Sequence, residues 1–168
     1  MSHLQNHSLP KSKPKYLFVG LGTMGFPMAG HLSKNTQIDL FIYNRTPSVS
    51  KNWFKKYKGS NLDLLELNNI KFDGVITCLK DDSSIIEILL NKSVIESIRM
   101  NGFILDHSTT SLTLISTICS YNYVKENKID LLIVDYPKLS MEEITLFDDI
   151  INVIHHKSHC HLLTTKSS

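Results

Sequence analysis

Three glycines near the amino terminus have the spacing of a phosphate-binding turn. Gly20, Gly22 and Gly25 follow a short apolar run in "YLFVGLGTMGFPMAGHL", and an apolar-periodic segment begins at Met24. In such a unit the first glycine permits a tight turn, the second admits a pyrophosphate and the third lets the helix pack on the strand. The spacing alone is weak evidence, but its place between strand and helix predicts a dinucleotide site. The predicted cofactor contacts in this turn are Gly20, Leu21, Gly22, Thr23, Met24 and Gly25.

The end of the second apolar run indicates which dinucleotide is bound. Sites for NAD usually place a carboxylate here, about 20 residues past the glycines. This sequence instead has Asn44, Arg45 and Thr46 in "YNRTP". Arg45 can pair with a 2′-phosphate and Thr46 can donate to it while capping the next helix, although Arg45 could also be a solvent-facing charge. We therefore predict NADP as the preferred cofactor, with NAD possible.

The elements that must position these residues alternate between strand and helix. Five apolar runs have the length of strands, namely 16–19, 38–43, 72–79, 102–110 and 129–137. Helical patterns separate them, because apolar residues recur there at three- and four-residue spacing. Almost wholly apolar strands in this order predict a doubly wound, mostly parallel α/β sheet of the Rossmann type.

Several residues predict where the helices begin and end. Thr46 is a candidate N-cap followed by proline, and Gly59 is the expected stop of that helix. Ser93 and Glu96 have the spacing of a capping box for a short later helix. A helix is expected behind the fourth strand, over about 112–119, and a closing helix over about 140–154.

Length and composition favour one domain. The 168 residues are enough for one sizeable core, and no apolar stretch approaches the roughly 20 residues that a bilayer requires. We expect a disordered lead-in over 1–14, the domain over 15–154 and a flexible histidine-rich tail over 155–168. Three cysteines without a close pair predict a reducing, cytoplasmic setting. The lack of a long apolar stretch predicts no membrane association.

The charge is unevenly distributed along the chain. Up to Ser60 there are nine basic residues against one acidic residue, a net +8, and the remainder has nine against fifteen, a net −6. A basic amino-terminal third suits a polyphosphate ligand, but an ordinary solvated face is an equal alternative. No nucleic-acid partner is expected, because interleaved aromatics and a nucleic-acid motif are missing.

Four segments in this order resemble the β-hydroxyacid dehydrogenases, the family of 3-hydroxyisobutyrate dehydrogenase and 6-phosphogluconate dehydrogenase. They are "GLGTMGFPMAGHL", "YNRTPS", "DGVITCLKDDSSI" and "NGFILDHSTTS", and the resemblance covers about 15–137. It implies an NAD(P)-binding Rossmann domain. It also implies that Leu79 and Lys80 flank the cofactor, that Thr109 lies near the nicotinamide, and that Ser108 lies near the substrate carboxylate. The family usually has proline where this chain has Lys80.

The resemblance stops after "DYP" at 135–137. Complete members continue with paired glycines and a helical domain that carries the catalytic lysine, and no lysine here has a matching context. No catalytic residue is assigned. We expect an incomplete oxidoreductase that needs a partner chain or self-association to cover the nicotinamide face, or alternatively a non-catalytic dinucleotide-binding sensor.

The tail offers a competing hypothesis of another class. Four histidines and a cysteine lie within seven residues, and such side chains can bind zinc or copper. They lack the two separated ligand pairs of a structural zinc site. No metal site is therefore predicted for His155, His156, His159, Cys160 and His161.

Overall fold

The computed structural model describes residues 12–108, 111, 114, 117 and 129–133. Within them the chain forms six strands, which are β1 (Lys15–Val19), β2 (Asp39–Tyr43), β3 (Ser60–Asn61), β4 (Phe72–Thr77), β5 (Ile98–Asp106) and β6 (Asp130–Ile133). The helices are α1 (Gly25–Leu32), α2 (Pro47–Phe54), α3 (Asp82–Leu89) and α4 (Lys92–Ser97), with a 3-10 helix at Leu64–Asn69.

The strands form one parallel sheet. Their spatial order is β3-β2-β1-β4-β5-β6, and every neighbouring pair runs in the same direction. This is the strand order of the Rossmann fold, so the predicted fold class is confirmed. All five predicted strands are present, and β3 is an additional short edge strand.

Side chains of the central strands alternate between two buried clusters. Leu17 and Val19 pack in one cluster with α3 and α4, whereas Phe18 packs in the other with α1 and α2. Because successive strand residues point to opposite faces, both faces of the sheet are covered. This explains why the strands read as continuous apolar runs rather than as alternating ones.

Some predicted boundaries are wrong. The second helix ends at Phe54 rather than Gly59, because Lys56 N–H and Tyr57 N–H both turn back to the carbonyl of Trp53. Thr46 is the N-cap residue as predicted, but its side chain makes no capping hydrogen bond. The fourth predicted strand, β5, begins at Ile98 rather than at 102.

The capping box predicted at Ser93 is also wrong. Asn91 occupies the N-cap position of α4, and its side-chain oxygen accepts from Ser93 N–H at 3.0 Å. Asparagine is as favourable an N-cap as serine, so the helix begins at the earlier of two possible signals.

Several sequence predictions lie wholly or partly outside the described residues. Leu114 and Thr117 are helical, in agreement with a helix behind β5. Three predicted segments lie outside the described residues, namely the lead-in up to residue 11, the closing helix over 140–154 and the histidine-rich tail. These segments and the domain limits therefore stay predictions. Among the described helices none is long and apolar enough to cross a membrane.

Candidate dinucleotide site

A pocket lies at the carboxyl ends of β1, β2 and β4. The chain leaves β1 toward β2 on one side and returns to β4 on the other, so this is the point where the strand order reverses. Open α/β sheets bind ligands in the crevice at such a point. The pocket is lined by residues that end or follow these strands and by one face of α3, namely Val19, Gly20, Gly22, Tyr43, Asn44, Arg45, Thr46, Cys78, Leu79, Lys80, Ser84, Glu87 and Ile88.

Two of the three glycines are required by close packing. Gly20 has a φ of 98°, a conformation that side-chain-bearing residues rarely adopt. A Cβ at Gly20 would lie within 3.0 Å of the Cys78 carbonyl oxygen, and one at Gly25 within 3.0 Å of the Gly20 carbonyl oxygen. Both distances are shorter than real Cβ contacts. These glycines let the turn fit between β4 and the start of α1.

Gly22 differs from its two neighbours in the motif. A Cβ built there would meet nothing within 4 Å, and the residue lines the pocket. Its carbonyl accepts from Phe26 N–H at 3.0 Å, so the turn continues directly into α1. The first N–H groups of a helix lack intrahelical acceptors and carry partial positive charge. The arrangement therefore leaves room for a phosphate beside a helix N-terminus.

Asn44 holds the glycine turn from the neighbouring strand. Its side-chain oxygen accepts from Leu21 N–H at 2.8 Å, and its side-chain nitrogen donates to the Thr46 carbonyl at 3.1 Å. The Leu21 side chain is buried in the core. Asn44 lies on the pocket wall, and its observed contacts fix the backbone that surrounds the pocket. Its predicted contact with the cofactor stays a prediction.

The outer wall of the pocket carries charges of both signs. Arg45 and Lys80 are basic, and Arg45 Nη1 lies 3.5 Å from Oε2 of Glu87 on α3. The side chains of this ion pair are 75% and 58% exposed, so the pair is a solvated surface interaction. The sequence prediction included Arg45 but did not consider Glu87.

Ser108 joins the loops that follow β4 and β5. Its hydroxyl oxygen accepts from Leu79 N–H at 2.8 Å, and its own N–H donates to Asp106 Oδ1 at 3.1 Å. The same carboxylate oxygen accepts from the Thr77 hydroxyl at 2.6 Å, and these side chains are almost fully buried. Ser108 thus positions the β4 loop, and its predicted contact with a substrate stays a prediction.

Burial changes the pKa of two groups near the pocket. It raises the pKa of the Cys78 thiol, and the charge of Asp106 acts in the same direction, which disfavours a reactive thiolate. Burial lowers the pKa of His107, although Asp106 opposes this effect. Both groups therefore favour their neutral forms.

Asp81 caps α3 beside the pocket. Its carboxylate accepts from Ser84 N–H at 2.9 Å and from the hydroxyls of Ser83 and Ser84 at 2.8 Å. These hydrogen bonds, led by the one from the backbone, lower the pKa of Asp81 to about 2. The cap fixes the first turn of the helix that carries Ser84 and Glu87 into the pocket wall.

The structure brings together seven of the predicted site residues, which are Gly20, Gly22, Asn44, Arg45, Thr46, Leu79 and Lys80. Thr23 and Met24 are exposed at the start of α1 but do not line this pocket, and Thr109 lies outside the described residues. Sequence reasoning missed the other lining residues, which are Val19, Tyr43, Cys78, Ser84, Glu87 and Ile88. Ser84, Glu87 and Ile88 have the three- and four-residue spacing of one helix face, and that signal could have identified them.

The described part of the chain holds no group of three or more His, Cys, Asp or Glu side chains that could bind a metal ion. The histidine-rich tail considered above is outside that part. The pocket lining offers hydroxyls and two cationic side chains, Arg45 and Lys80, which are groups of the kind that bind phosphate and ribose.

Comparison with known structures shows the same fold in oxidoreductases. The 3-hydroxyisobutyrate dehydrogenase of Mycobacterium tuberculosis matches with a TM-score of 0.60 at 14% identity, over 90% of this chain and 54% of that one. The imine reductase of Myxococcus stipitatus, solved with NADP+, matches with a TM-score of 0.59 at 14% identity. The match covers 90% of this chain and 55% of that one. At these identities the likeness concerns the fold alone.

Sequence comparison gives a nearer relative and the family. An uncharacterized oxidoreductase of Shewanella frigidimarina (strain NCIMB 400) is 33% identical over 108 residues, which are 64% of this chain and 37% of the relative. The chain thus corresponds to little more than a third of that relative's length. Residues 15–137 match the family model for the NAD binding domain of 6-phosphogluconate dehydrogenase. The chain belongs to this family of NAD-binding domains, as the resemblance of its glycine turn had implied.

Proposed function

We propose that the chain binds NADP, and NAD more weakly, in the pocket at the ends of β1, β2 and β4. The single observation that carries this proposal is the geometry of Gly22. It is the one glycine of the motif where an added Cβ meets nothing within 4 Å, and it lines the pocket in the turn that leads into α1. A pyrophosphate bound there would accept from backbone N–H groups at the helix start.

The preference for NADP rests on the cations at the end of β2 and β4. Arg45 follows β2, where a 2′-phosphate would extend from the ribose, and Lys80 follows β4 on the same pocket wall. Asp39, the acidic residue of β2, lies at the opposite end of that strand. Its carboxylate therefore cannot accept a hydrogen bond from the ribose hydroxyl. The guanidinium of Arg45 would form charge-assisted hydrogen bonds with the 2′-phosphate.

For the activity, we propose the cofactor half of a dehydrogenase or reductase that acts on a small β-hydroxyacid or aldehyde-acid. The family membership and the oxidoreductase relative support this class. Hydride transfer is supplied by the nicotinamide, whereas a protein group must exchange the proton at the substrate oxygen. No residue of this pocket is assigned that role, so we expect cofactor binding with little turnover unless a second unit or a partner chain covers the nicotinamide. A reducing, cytoplasmic setting belongs to the same proposal.

The proposal is tested by titrating the 168-residue chain with NADPH and NADH. Trp53 is the single tryptophan and is fully buried, so energy transfer from its emission to the nicotinamide reports binding. We expect saturable binding of both cofactors, with NADPH binding several-fold more tightly. Gly22→Asp should abolish binding, because it places a carboxylate where the pyrophosphate would lie.

Gln37→Glu is the matched control for this variant. It also adds one negative charge, but in an exposed turn before β2, away from the glycine turn. Its affinity for NADPH should equal that of the wild type. Equal binding by Gly22→Asp would overturn the assignment of the pocket, and absence of binding by the wild type would overturn the proposed function itself.

A further inference from the structure

The ion pair between Arg45 and Glu87 spans the proposed binding pocket. Arg45 follows β2 and Glu87 lies on α3, which follows β4, and β1 lies between these two strands in the sheet. Both residues line the same pocket as Gly22, and their charged atoms are 3.5 Å apart. A dinucleotide that extends from the glycine turn toward the end of β2 must therefore pass beside this pair.

We propose that Glu87 is a specificity-determining residue that limits the preference of this site for NADP over NAD; this inference rests on the proposed function. The cation that would bind the 2′-phosphate already has a carboxylate as its partner. Binding of NADP must break or rearrange that ion pair, whereas NAD places no anion at this position. Glu87 thus opposes one of the two cofactors selectively.

The exposure of the pair determines the expected size of the effect. Both side chains are more than half exposed, and solvated ion pairs of this kind are weak. Arg45 can therefore turn to a 2′-phosphate, but the carboxylate of Glu87 remains close to a ligand group that carries up to two negative charges. Loss of the ion pair and like-charge repulsion act in the same direction.

A second observation places the charge of Glu87 within the site. The pKa of Tyr43, the last residue of β2, is raised by burial first and by the charge of Glu87 next. Tyr43 lines the pocket directly before Asn44 and Arg45. The field of this carboxylate thus reaches the end of β2, where the ribose phosphate of NADP would be recognised.

The test compares dissociation constants for NADPH and NADH between the wild-type chain and Glu87→Gln. Removing the charge while keeping the size should tighten NADPH binding by roughly three- to tenfold and change NADH binding by less than about twofold. Glu66→Gln is the matched control, because it removes the same charge from an exposed residue of the 3-10 helix that does not line the pocket. Its two constants should equal those of the wild type.

Two results overturn the inference and can be told apart. If both cofactors bind but Glu87→Gln leaves their affinity ratio unchanged or shifts it toward NADH, Glu87 does not limit the NADP preference and the proposed function still stands. If the wild type binds neither cofactor, the proposed function fails and this inference fails with it. Circular dichroism of both glutamine variants checks that each is folded. The inference is supported if the affinity for NADPH relative to NADH rises in Glu87→Gln but not in Glu66→Gln.

Discussion

Replacing Gly25 by alanine should destabilise the domain strongly, whereas the same change at Gly22 should not. A Cβ at Gly25 would lie within 3.0 Å of the Gly20 carbonyl oxygen, and a backbone oxygen cannot move aside as a flexible side chain can. The start of α1 must then shift away from the end of β1. At Gly22 the added methyl group meets nothing within 4 Å.

The magnitude follows from these two environments. Overpacking against rigid neighbours typically costs about 1–3 kcal/mol, and a backbone clash belongs at the upper end of that range or above it. Alanine in a helix regains up to about 1 kcal/mol relative to glycine. We therefore expect Gly25→Ala to lose about 2–3 kcal/mol of unfolding free energy, which lowers Tm by roughly 5–10 °C. Gly22→Ala should lie within about 1 kcal/mol of the wild type.

The assay is urea unfolding followed by the emission of Trp53, with thermal unfolding followed by circular dichroism. Trp53 reports on the α2 side of the sheet because it is fully buried and donates from its ring nitrogen to the Phe26 carbonyl at 3.1 Å. The two alanine variants are each other's control, since the chemical change is identical. Equal losses at the two positions, or a Gly25→Ala protein as stable as the wild type, would refute the packing assignment.

Two further predictions concern residues beside the pocket. Asn44→Ala should lower the unfolding free energy by about 1–2 kcal/mol, because Leu21 N–H loses its acceptor. NADPH binding should weaken as well. Urea unfolding measures the first effect, and the Trp53 titration measures the second. His107 has a pKa below the ordinary 6.5, so the unfolded chain binds more protons and stability should fall as the pH drops below 6.5. The urea unfolding midpoint of each protein is compared at about pH 7.5 and about pH 5.5. Between these pH values the midpoint of His107→Gln should fall less than that of the wild type, and an equal fall in the two proteins would contradict the prediction.

The Asn44 and Ser108 contacts link segments that sequence reasoning treated separately. Asn44 connects the end of β2 with the glycine turn, and Ser108 connects the loop after β5 with Leu79 after β4. Each bond joins the carboxyl ends of two neighbouring strands. The glycine turn and the loop after β4 are therefore each held to a neighbouring segment by a hydrogen bond.

The sequence by itself determined the fold class and the place of the glycine turn. Gly20, Gly22 and Gly25 define a local backbone conformation within six residues, and apolar runs of strand length require burial on both faces of a sheet. Neither property needs knowledge of distant residues. The pocket residues that follow β1, β2 and β4 were predictable for the same reason, because the carboxyl ends of parallel strands meet at one edge.

The tertiary structure alone decided what those residues contact. Asn44 binds the backbone of Leu21 across 23 positions of sequence, and Ser108 binds Leu79 across 29. Such contacts depend on strand order and register, which local spacing does not encode. The partner of Arg45 is likewise set by how α3 packs on the sheet. Local patterns specify turns and burial, whereas the pairing of charges and amides across the pocket requires the assembled sheet.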